Sequence, residues 1–141
     1  MGAPRIAFDH VHLISADPAA AAAWYADVLG GTIAEASEVR GAPQIAVAFD
    51  GAILLVRGRR PGEQPARGSL LEYYDGFVSH NRWGTDHFGF RVTGDFDRFC
   101  DELRTKGVAF AVEPYEFMPG RRIAYIEGPD GVTIELLEPR G

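Results

Sequence analysis

The chain contains one pattern twice, and this internal repeat limits the folds it can adopt. Asp9-His10 opens an apolar, strand-like stretch, and Asp86-His87 opens another such stretch 77 residues later. The same offset relates Gly30 to Gly107, and each of these glycines follows a helix-like run. A pattern that recurs once at a fixed spacing predicts two copies of one supersecondary motif.

Both halves begin with a predicted strand followed by a predicted helix. In the first half, a strand at 8–14 leads to Asp17-Pro18, which is a helix start signal, and the helix then runs over 19–29. In the second half, a strand at 88–92 leads to a helix over 96–103, whose apolar residues recur with a spacing near that of an α-helix. The order of elements is therefore the same in both halves.

Short strands follow each helix. Asp50-Gly51 and the segment Pro129-Asp130-Gly131 are hairpin signals, so the strands on either side of them are expected to pair in antiparallel fashion. The predicted strands lie at 32–33, 44–49 and 52–56 in the first half and at 108–112, 122–127 and 132–137 in the second. Each half is therefore a βαβββ module, and the predicted fold class is α+β, with two tandem modules whose curved sheets form a cup.

Length and composition predict one compact domain over residues 1–141. With 46% hydrophobic residues, the chain can fill the core expected for this size. Module one is expected at about 5–57 and module two at about 84–139. The linker between them, 58–83, is rich in Gly, Pro and Arg at first and dense in aromatic residues over 70–83. This aromatic part is expected to pack over the seam between modules, to form a dimer contact, or to act as a lid or pocket wall.

Charge and targeting signals point to a small-molecule partner inside the cell. A net charge of −6 disfavours nucleic acid and anionic membranes as main partners, because phosphate binding needs a concentrated basic face. We find no signal peptide and no long apolar run, and the single cysteine, Cys100, excludes an internal disulfide. We therefore expect a cytoplasmic protein.

Two histidines and one glutamate are the strongest candidates for a functional site. His10, His87 and Glu135 each lie in or next to an apolar strand-like segment, where an isolated polar group is costly to bury without a partner. Two imidazoles and one carboxylate also form the facial ligand set that holds a divalent metal ion with open positions. Because His10 and His87 are equivalent in the repeat, we expect the three residues to form one metal site.

Two further residues are candidate catalytic groups. His12 lies two residues after His10 and so shares its strand face, where it would act as an acid or base near the metal, or instead make a buried hydrogen bond. Tyr125 would contact substrate, or would fill the interior as an ordinary aromatic strand residue.

These motifs closely resemble the vicinal oxygen chelate superfamily. The carriers of the resemblance are Asp-His-Val at 9–11, the second histidine at 87, and Gly-Pro-Asp-Gly-Val-Thr-Ile-Glu-Leu-Leu at 128–137. The superfamily includes glyoxalase I, methylmalonyl-CoA epimerase, fosfomycin-resistance enzymes, extradiol dioxygenases and bleomycin-binding proteins. The resemblance spans nearly the whole chain and implies paired βαβββ modules and a homodimer.

The resemblance also implies a cofactor and a class of chemistry. One divalent ion, Fe(II), Mn(II), Zn(II), Ni(II) or Co(II), would be held at His10, His87 and Glu135, and a small oxygen-rich substrate would chelate it through neighbouring oxygens. The activity would be that of a lyase, isomerase, transferase or dioxygenase. The alternative is a protein that binds and sequesters a small molecule, as the bleomycin-binding relatives do without metal.

Many members of the superfamily carry a fourth metal ligand on the last strand of the first module. Matching residues 53–55 to 134–136 puts Leu54 at this position, and a register shift of one residue would put Leu55 there. Neither side chain can bind a metal. The sequence therefore predicts a three-ligand site, which resembles the sites of fosfomycin-modifying enzymes and extradiol dioxygenases and leaves room for a chelating substrate.

Overall fold

A computed structural model describes residues 3–66 and 83–139 of the chain. The chain divides into two compact units, Met1–Ala66 and Arg67–Gly141. Each unit contains one four-stranded sheet and one α-helix, which confirms the predicted α+β class and the two βαβββ modules. Most of the aromatic segment at 70–83 lies outside the described residues; of it, only the exposed Trp83 is described.

The first unit is built from four strands and one helix. These are β1 (Val11–Ile14), α1 (Pro18–Leu29), β2 (Thr32–Val39), β3 (Ala42–Phe49) and β4 (Ala52–Arg57). The strand order is β1-β4-β3-β2, with β1 parallel to β4 and the other neighbours antiparallel. The predicted hairpin between β3 and β4 is confirmed, and Gly51 supplies the positive φ of 76° that its turn requires.

Local signals fix the ends of α1, and small residues let it lie close to the sheet. The Asp17 carboxylate accepts a hydrogen bond from the Ala20 amide at 3.1 Å, and Gly30 ends the helix with a φ of 78°. The buried core of this unit combines Ala21, Ala22 and Tyr25 of α1 with Val47, Leu54 and Val56 of the sheet. Leu54 and Val56 therefore mark the face of β4 that is turned toward α1.

The second unit repeats this plan. Its elements are β5 (Phe88–Arg91), α2 (Phe96–Thr105), β6 (Phe110–Met118), β7 (Arg121–Glu127), a single 3-10 turn (Pro129–Gly131) and β8 (Thr133–Leu137). The strand order β5-β8-β7-β6 matches that of the first unit, and β5 is parallel to β8. The helix buries Phe96, Cys100 and Leu103, whose spacing places them on one side.

An arginine identifies the side of the second sheet that carries α2. Arg122 of β7 forms an ion pair with Asp97 and lies over the ring of Phe96, and both partners belong to α2. Since successive strand residues point to opposite faces, Tyr125 points away from α2, and so does its cross-strand partner Glu135. We call the face of each sheet opposite its helix the site face.

The structure extends two strands well beyond their predicted length. β2 runs over eight residues and β6 over nine, whereas the sequence indicated only the beginning of each. Both are edge strands. β2 is exposed at nearly every position and β6 at its last four, so the added parts lack the apolar alternation that marks a half-buried strand. Among the described residues, neither helix is long and apolar enough to cross a membrane.

Candidate functional site

In the second unit, the structure brings His87 and Glu135 into direct contact. His87 directly precedes β5, Glu135 lies in β8, and Nε2 of His87 is 2.9 Å from Oε2 of Glu135. Gly89, the strand partner of Glu135, makes room for this contact. A Cβ atom at Gly89 would lie 3.1 Å from the Cβ of Glu135 and 3.2 Å from its carbonyl oxygen. The glycine therefore allows the glutamate to lie against β5.

A second carboxylate orients the imidazole of His87. Oδ2 of Asp86 lies 2.6 Å from Nδ1 of His87, so both ring nitrogens face carboxylate oxygens. Burial alone would lower the pKa of His87, but hydrogen bonds with Asp86 and Glu135 raise it overall above its ordinary value. A proton on Nε2 allows His87 to donate a hydrogen bond to Glu135. A divalent cation held by Nε2 and by the Glu135 carboxylate suits the same pair of donors.

Tyr125 lies beside this pair on the site face. It is the cross-strand partner of Glu135, and its ring meets the ring of His87 edge to face at a centroid distance of 5.1 Å. Burial, together with the negative charge of Glu135, raises the pKa of Tyr125 to about 12. The phenol therefore keeps its proton at neutral pH and can donate a hydrogen bond.

The first unit contains the same pairing of histidine and aspartate. Nδ1 of His10 lies 2.6 Å from Oδ2 of Asp9, the same distance as in the second unit. The pair in the first unit is more open, because the His10 side chain is 36% exposed and that of Asp9 is 86% exposed. In both units the aspartate engages Nδ1, which leaves Nε2 as the nitrogen for metal binding.

His12 lies next to His10, as the alternation of strand residues predicts. The ring centroids are 6.1 Å apart, with an angle of 67° between the ring planes. His12 is exposed rather than buried, so it does not make the buried hydrogen bond considered as an alternative. Desolvation by neighbouring atoms, followed by the positive charge of Arg57, lowers the pKa of His12. This histidine is therefore neutral at pH 7 and can accept a proton.

The strand register corrects the predicted place of the missing fourth ligand. Val11 pairs with Leu54 in the first unit, and the equivalent Phe88 pairs with Ile134 in the second. Leu54 therefore corresponds to Ile134, and it is a core residue with 3% of its surface exposed. The assignment of Leu54 is wrong, and the position equivalent to Glu135 belongs to Leu55. The similarity of residues 53–55 to 134–136 does not fix the equivalence, because the pairing of these strands with β1 and β5 determines the register.

The structure groups the candidate residues within each unit. His87, Glu135 and Tyr125 lie together in the second unit, and His10 and His12 lie together in the first. Over 3–66 and 83–139, no three or more His, Cys, Asp or Glu side chains are arranged to hold a metal ion. The ligand set of His10, His87 and Glu135 therefore stays a prediction.

The sequence did not assign roles to three residues that shape the site. Asp9 and Asp86 orient the two histidines, and Gly89 leaves space for Glu135. The recurrence of Asp-His in both halves was the available signal for the aspartates. No comparable signal existed for Gly89, since its importance depends on which residue of β8 lies opposite it.

Comparison with a protein-family model identifies the group to which the chain is related. The model described as Glyoxalase/Bleomycin resistance protein/Dioxygenase superfamily matches residues 7–136. Over 70 residues, the chain is 39% identical to a probable lactoylglutathione lyase from Synechocystis sp. (strain ATCC 27184 / PCC 6803 / Kazusa). This match covers 43% of the chain and 53% of the relative, so the chain spans about half the length of that curated protein.

Solved structures share the fold at low sequence identity. A glyoxalase family protein from Bacillus cereus aligns with a TM-score of 0.79 and 18% identity, covering 99% of this chain and 97% of that chain. The fosfomycin resistance protein FosX from Listeria monocytogenes, complexed with Mn(II) and sulfate, aligns with a TM-score of 0.63 and 14% identity. That alignment covers 95% of this chain and 93% of FosX. Because the family model covers most of the sequence, the chain belongs to the Glyoxalase/Bleomycin resistance protein/Dioxygenase superfamily.

Proposed function

We propose that the chain is a divalent-metal-dependent enzyme that acts on a small molecule with neighbouring oxygens, as a lyase, isomerase, transferase or dioxygenase. His10, His87 and Glu135 would hold one ion, Fe(II), Mn(II), Zn(II), Ni(II) or Co(II). The observation that carries the proposal is the Asp–His pair that recurs in both units with the same distance of 2.6 Å. A carboxylate on Nδ1 orients an imidazole and makes it a better metal ligand through Nε2.

The donors in the second unit suit this role. The 2.9 Å contact between Nε2 of His87 and Oε2 of Glu135 places a nitrogen and an oxygen donor side by side. The Glu135 side chain is 21% exposed, so the pair is accessible to a small ion. Two imidazoles and one carboxylate leave further positions for water or substrate, as catalytic sites need.

When bound, the ion would act as a Lewis acid that stabilises negative charge on substrate oxygens. The chain's own residues supply the remaining functions. Tyr125, which keeps its proton at neutral pH, would donate a hydrogen bond to a developing oxyanion. The neutral imidazole of His12, next to His10, would accept a proton from the substrate.

The relatives support this class of activity without fixing the reaction. The Synechocystis protein is named a probable lyase, and the FosX structure contains Mn(II). With Leu55 at the position of the fourth ligand, we propose that the substrate binds in the open coordination positions. We also propose a cytoplasmic homodimer, which light scattering at micromolar concentration can check.

The direct test is metal analysis of the full chain, purified without chelators or an affinity tag. We expect about one equivalent of a divalent metal in the wild type, and a loss of at least about tenfold in affinity for His10→Ala, His87→Ala and Glu135→Gln. Glu102→Gln, at an exposed position on α2, is the matched control and should retain the metal. Equal metal occupancy in the wild type and all three ligand variants would disprove the site.

A metal-independent binding protein is the second candidate function. Its supporting observation is that the site face of the first unit also carries aliphatic side chains, since Ile14 and Ile53 are 41% and 39% exposed. Such a surface suits an organic ligand. Titration of the Co(II)-loaded and metal-free protein with a catechol or a hydroxamate separates the two functions. Equal binding to both forms would favour the binding protein, whereas a change in the Co(II) absorption spectrum would favour the enzyme.

A further inference from the structure

The turn after β4 surrounds a cavity that the proposed metal site does not use. The cavity has a volume of about 450 Å³ and is lined by Gly41 and by residues 59–64. This size suits a small organic molecule or one part of a larger one. Arg59 and Arg60 both contribute to its wall, so the lining is cationic on one side.

Hydrogen bonds hold this turn in shape without a ligand. Its central residues are Pro61 and Gly62, and the Glu63 amide donates to the Arg60 carbonyl at 3.0 Å. Oε1 of Glu63 accepts hydrogen bonds from the Arg60 amide at 2.7 Å and from Nη1 of Arg57 at 2.8 Å. Because the turn is already ordered, a ligand binding there loses less free energy to ordering of the protein.

The charges around the cavity favour an anion. Glu63 is the acidic residue in the lining, and the Arg60 amide and the Arg57 guanidinium hold its pKa below the ordinary range. Its negative charge is balanced by Arg57, a buried arginine that is 9% exposed. The charges of Arg59 and Arg60 therefore remain in excess, in a chain whose net charge is −6.

Arg60 also has unused hydrogen-bonding capacity. Its Nε is buried and has no hydrogen-bond partner among the residues that the structure describes. A buried N–H without an acceptor is costly, and the planar guanidinium is shaped to bind an oxyanion through two parallel hydrogen bonds. Since Arg60 lines the cavity, a small rotation of its side chain would offer this edge to an oxyanion that enters from solvent.

The cavity adjoins the site face of the first unit. Arg57 lies two positions after Leu55 in β4 and so shares its face, and Leu55 pairs with His12, so Arg57 and His12 lie on the same face. Arg57 also contacts Glu63 of the cavity lining at 2.8 Å, so the cavity lies beside this face. An anion at Arg60 would therefore bind next to the site face of the first unit.

We propose that Arg59 and Arg60 form an anion-binding site that takes a carboxylate or phosphate group of a small organic ligand. That this ligand is the enzyme's substrate rests on the proposed function, whereas anion binding itself does not. The proposal adds a substrate class: a molecule that carries neighbouring oxygens for the metal and a separate anionic group for the arginines.

The test uses the full chain in two forms, as purified and after treatment with a chelator. Inorganic phosphate and acetate are titrated separately, and the backbone amides of residues 59, 60 and 62–64 and the arginine Nε–H groups are followed by NMR. We expect saturable shifts in both forms, with affinity about tenfold lower in Arg60→Gln and in Arg59→Gln, since each loses a charged hydrogen bond. The anion that binds with the higher affinity shows whether the site prefers a phosphate or a carboxylate group.

Arg98→Gln is the matched control, because Arg98 is an exposed arginine on α2 that pairs with Glu102. It should bind phosphate and acetate like the wild type. Arg59 is exposed, so its variant remains informative even if Arg60→Gln does not fold. Absence of saturable binding, an equal loss in Arg98→Gln, or binding only to the metal-loaded form would overturn the proposal. Binding to the metal-free form would stand even if the metal site were disproved.

Discussion

The two units share one backbone plan, and an informative difference between them lies at the pair of facing residues that follows the Asp–His motif. In the second unit, Gly89 of β5 faces Glu135 of β8, whereas in the first unit His12 of β1 faces Leu55 of β4. The side chain with a metal-binding atom therefore lies on the last strand of the second unit but on the first strand of the first unit. Its partner across the strands is a glycine in the second unit and a leucine in the first. The preceding Asp–His pair is the same in both units.

This exchange divides the charges between the units. The candidate site in the second unit has two carboxylates around His87, so it suits a cation. In the first unit one carboxylate, Asp9, contacts His10, and His12 lies on the same sheet face as Arg57, so less negative charge surrounds the imidazoles of this unit. A repeated motif can thus keep its folding signals while its two copies acquire different electrostatic roles.

The register that defines this comparison can be tested at Leu54 and Leu55. Leu54→Glu places an uncompensated charge in the core of the first unit and should lower the free energy of unfolding by about 3–5 kcal/mol. Leu55→Glu should fold normally, because Leu55 is only partly buried on the site face. Chemical denaturation measures the difference. If Leu54→Glu were the better tolerated of the two, the register would be wrong.

The same pair of variants tests the open metal site. Under the proposed function, Leu55→Glu adds a carboxylate at the position equivalent to Glu135, so metal affinity should rise by at least about tenfold, as ligand changes commonly shift it. A bidentate oxygen ligand should then bind more weakly, because one open position is filled. Unchanged metal affinity in a folded Leu55→Glu variant would count against a metal near this face.

Gly89 and His12 allow a matched comparison at equivalent positions. Gly89→Ala puts a Cβ 3.1 Å from that of Glu135 and 3.2 Å from backbone oxygen, so it should cost about 1–3 kcal/mol of stability, as overpacking usually does. Under the proposed function it should also weaken metal binding by displacing Glu135. His12→Ala removes an exposed side chain and should change stability by less than about 0.5 kcal/mol. Thermal unfolding of both variants provides the measurement, and equal effects would contradict the asymmetry.

The sequence predicted what depends on local signals. The order of elements, the helix start at Asp17 and the hairpin at Asp50-Gly51 follow from capping and turn residues, and the structure confirms them. The register between β1 and β4 depends on pairing between strands about 40 positions apart, which the hairpin signal alone could not fix. Leu54 was therefore misplaced by one residue, and a shift of one residue moves a side chain to the opposite face.

The candidate site was predictable to the same extent. His87 and Glu135 were expected to meet, and the structure places them 2.9 Å apart. The contribution of Gly89 was not predictable, since it requires knowledge of the residue that lies against it. The cavity beside Arg60 also escaped prediction, because its turn read only as an exposed linker rich in glycine, proline and arginine.

Under the proposed function, the two aspartates should differ in how strongly they support metal binding. The Asp86 side chain is 26% exposed and that of Asp9 is 86% exposed. Water therefore weakens the contact of Asp9 with His10 more than the contact of Asp86 with His87. Asp86→Asn should lower metal affinity about 10–100-fold, and Asp9→Asn should lower it by only a few fold. Competition titrations with a coloured chelator measure both affinities. Equal losses would show that the two histidines are held to the same degree.

The smallest expected effect concerns an acid-sensitive ion pair in the second unit. Hydrogen bonds from Arg122 lower the pKa of Glu138 below its ordinary value of 4.5. The carboxylate therefore stabilises the fold fully above this pH, and the contribution is lost as the pH falls through the lowered pKa. Because the pair is partly exposed, it should contribute no more than about 1 kcal/mol.

Glu138→Gln should therefore lower stability at pH 7 and have little effect at pH 2, as measured by urea denaturation at both pH values. Glu63 of the first unit also has a lowered pKa, caused first by the Arg60 amide and then by Arg57. Glu63→Gln should therefore also lower the free energy of unfolding more at pH 7 than at pH 2, by a smaller amount than Glu138→Gln. Glu35→Gln, on the exposed strand β2, serves as the control. A difference between wild type and Glu138→Gln that grew toward low pH would have the wrong sign and would exclude this ion pair as a stabilising contact.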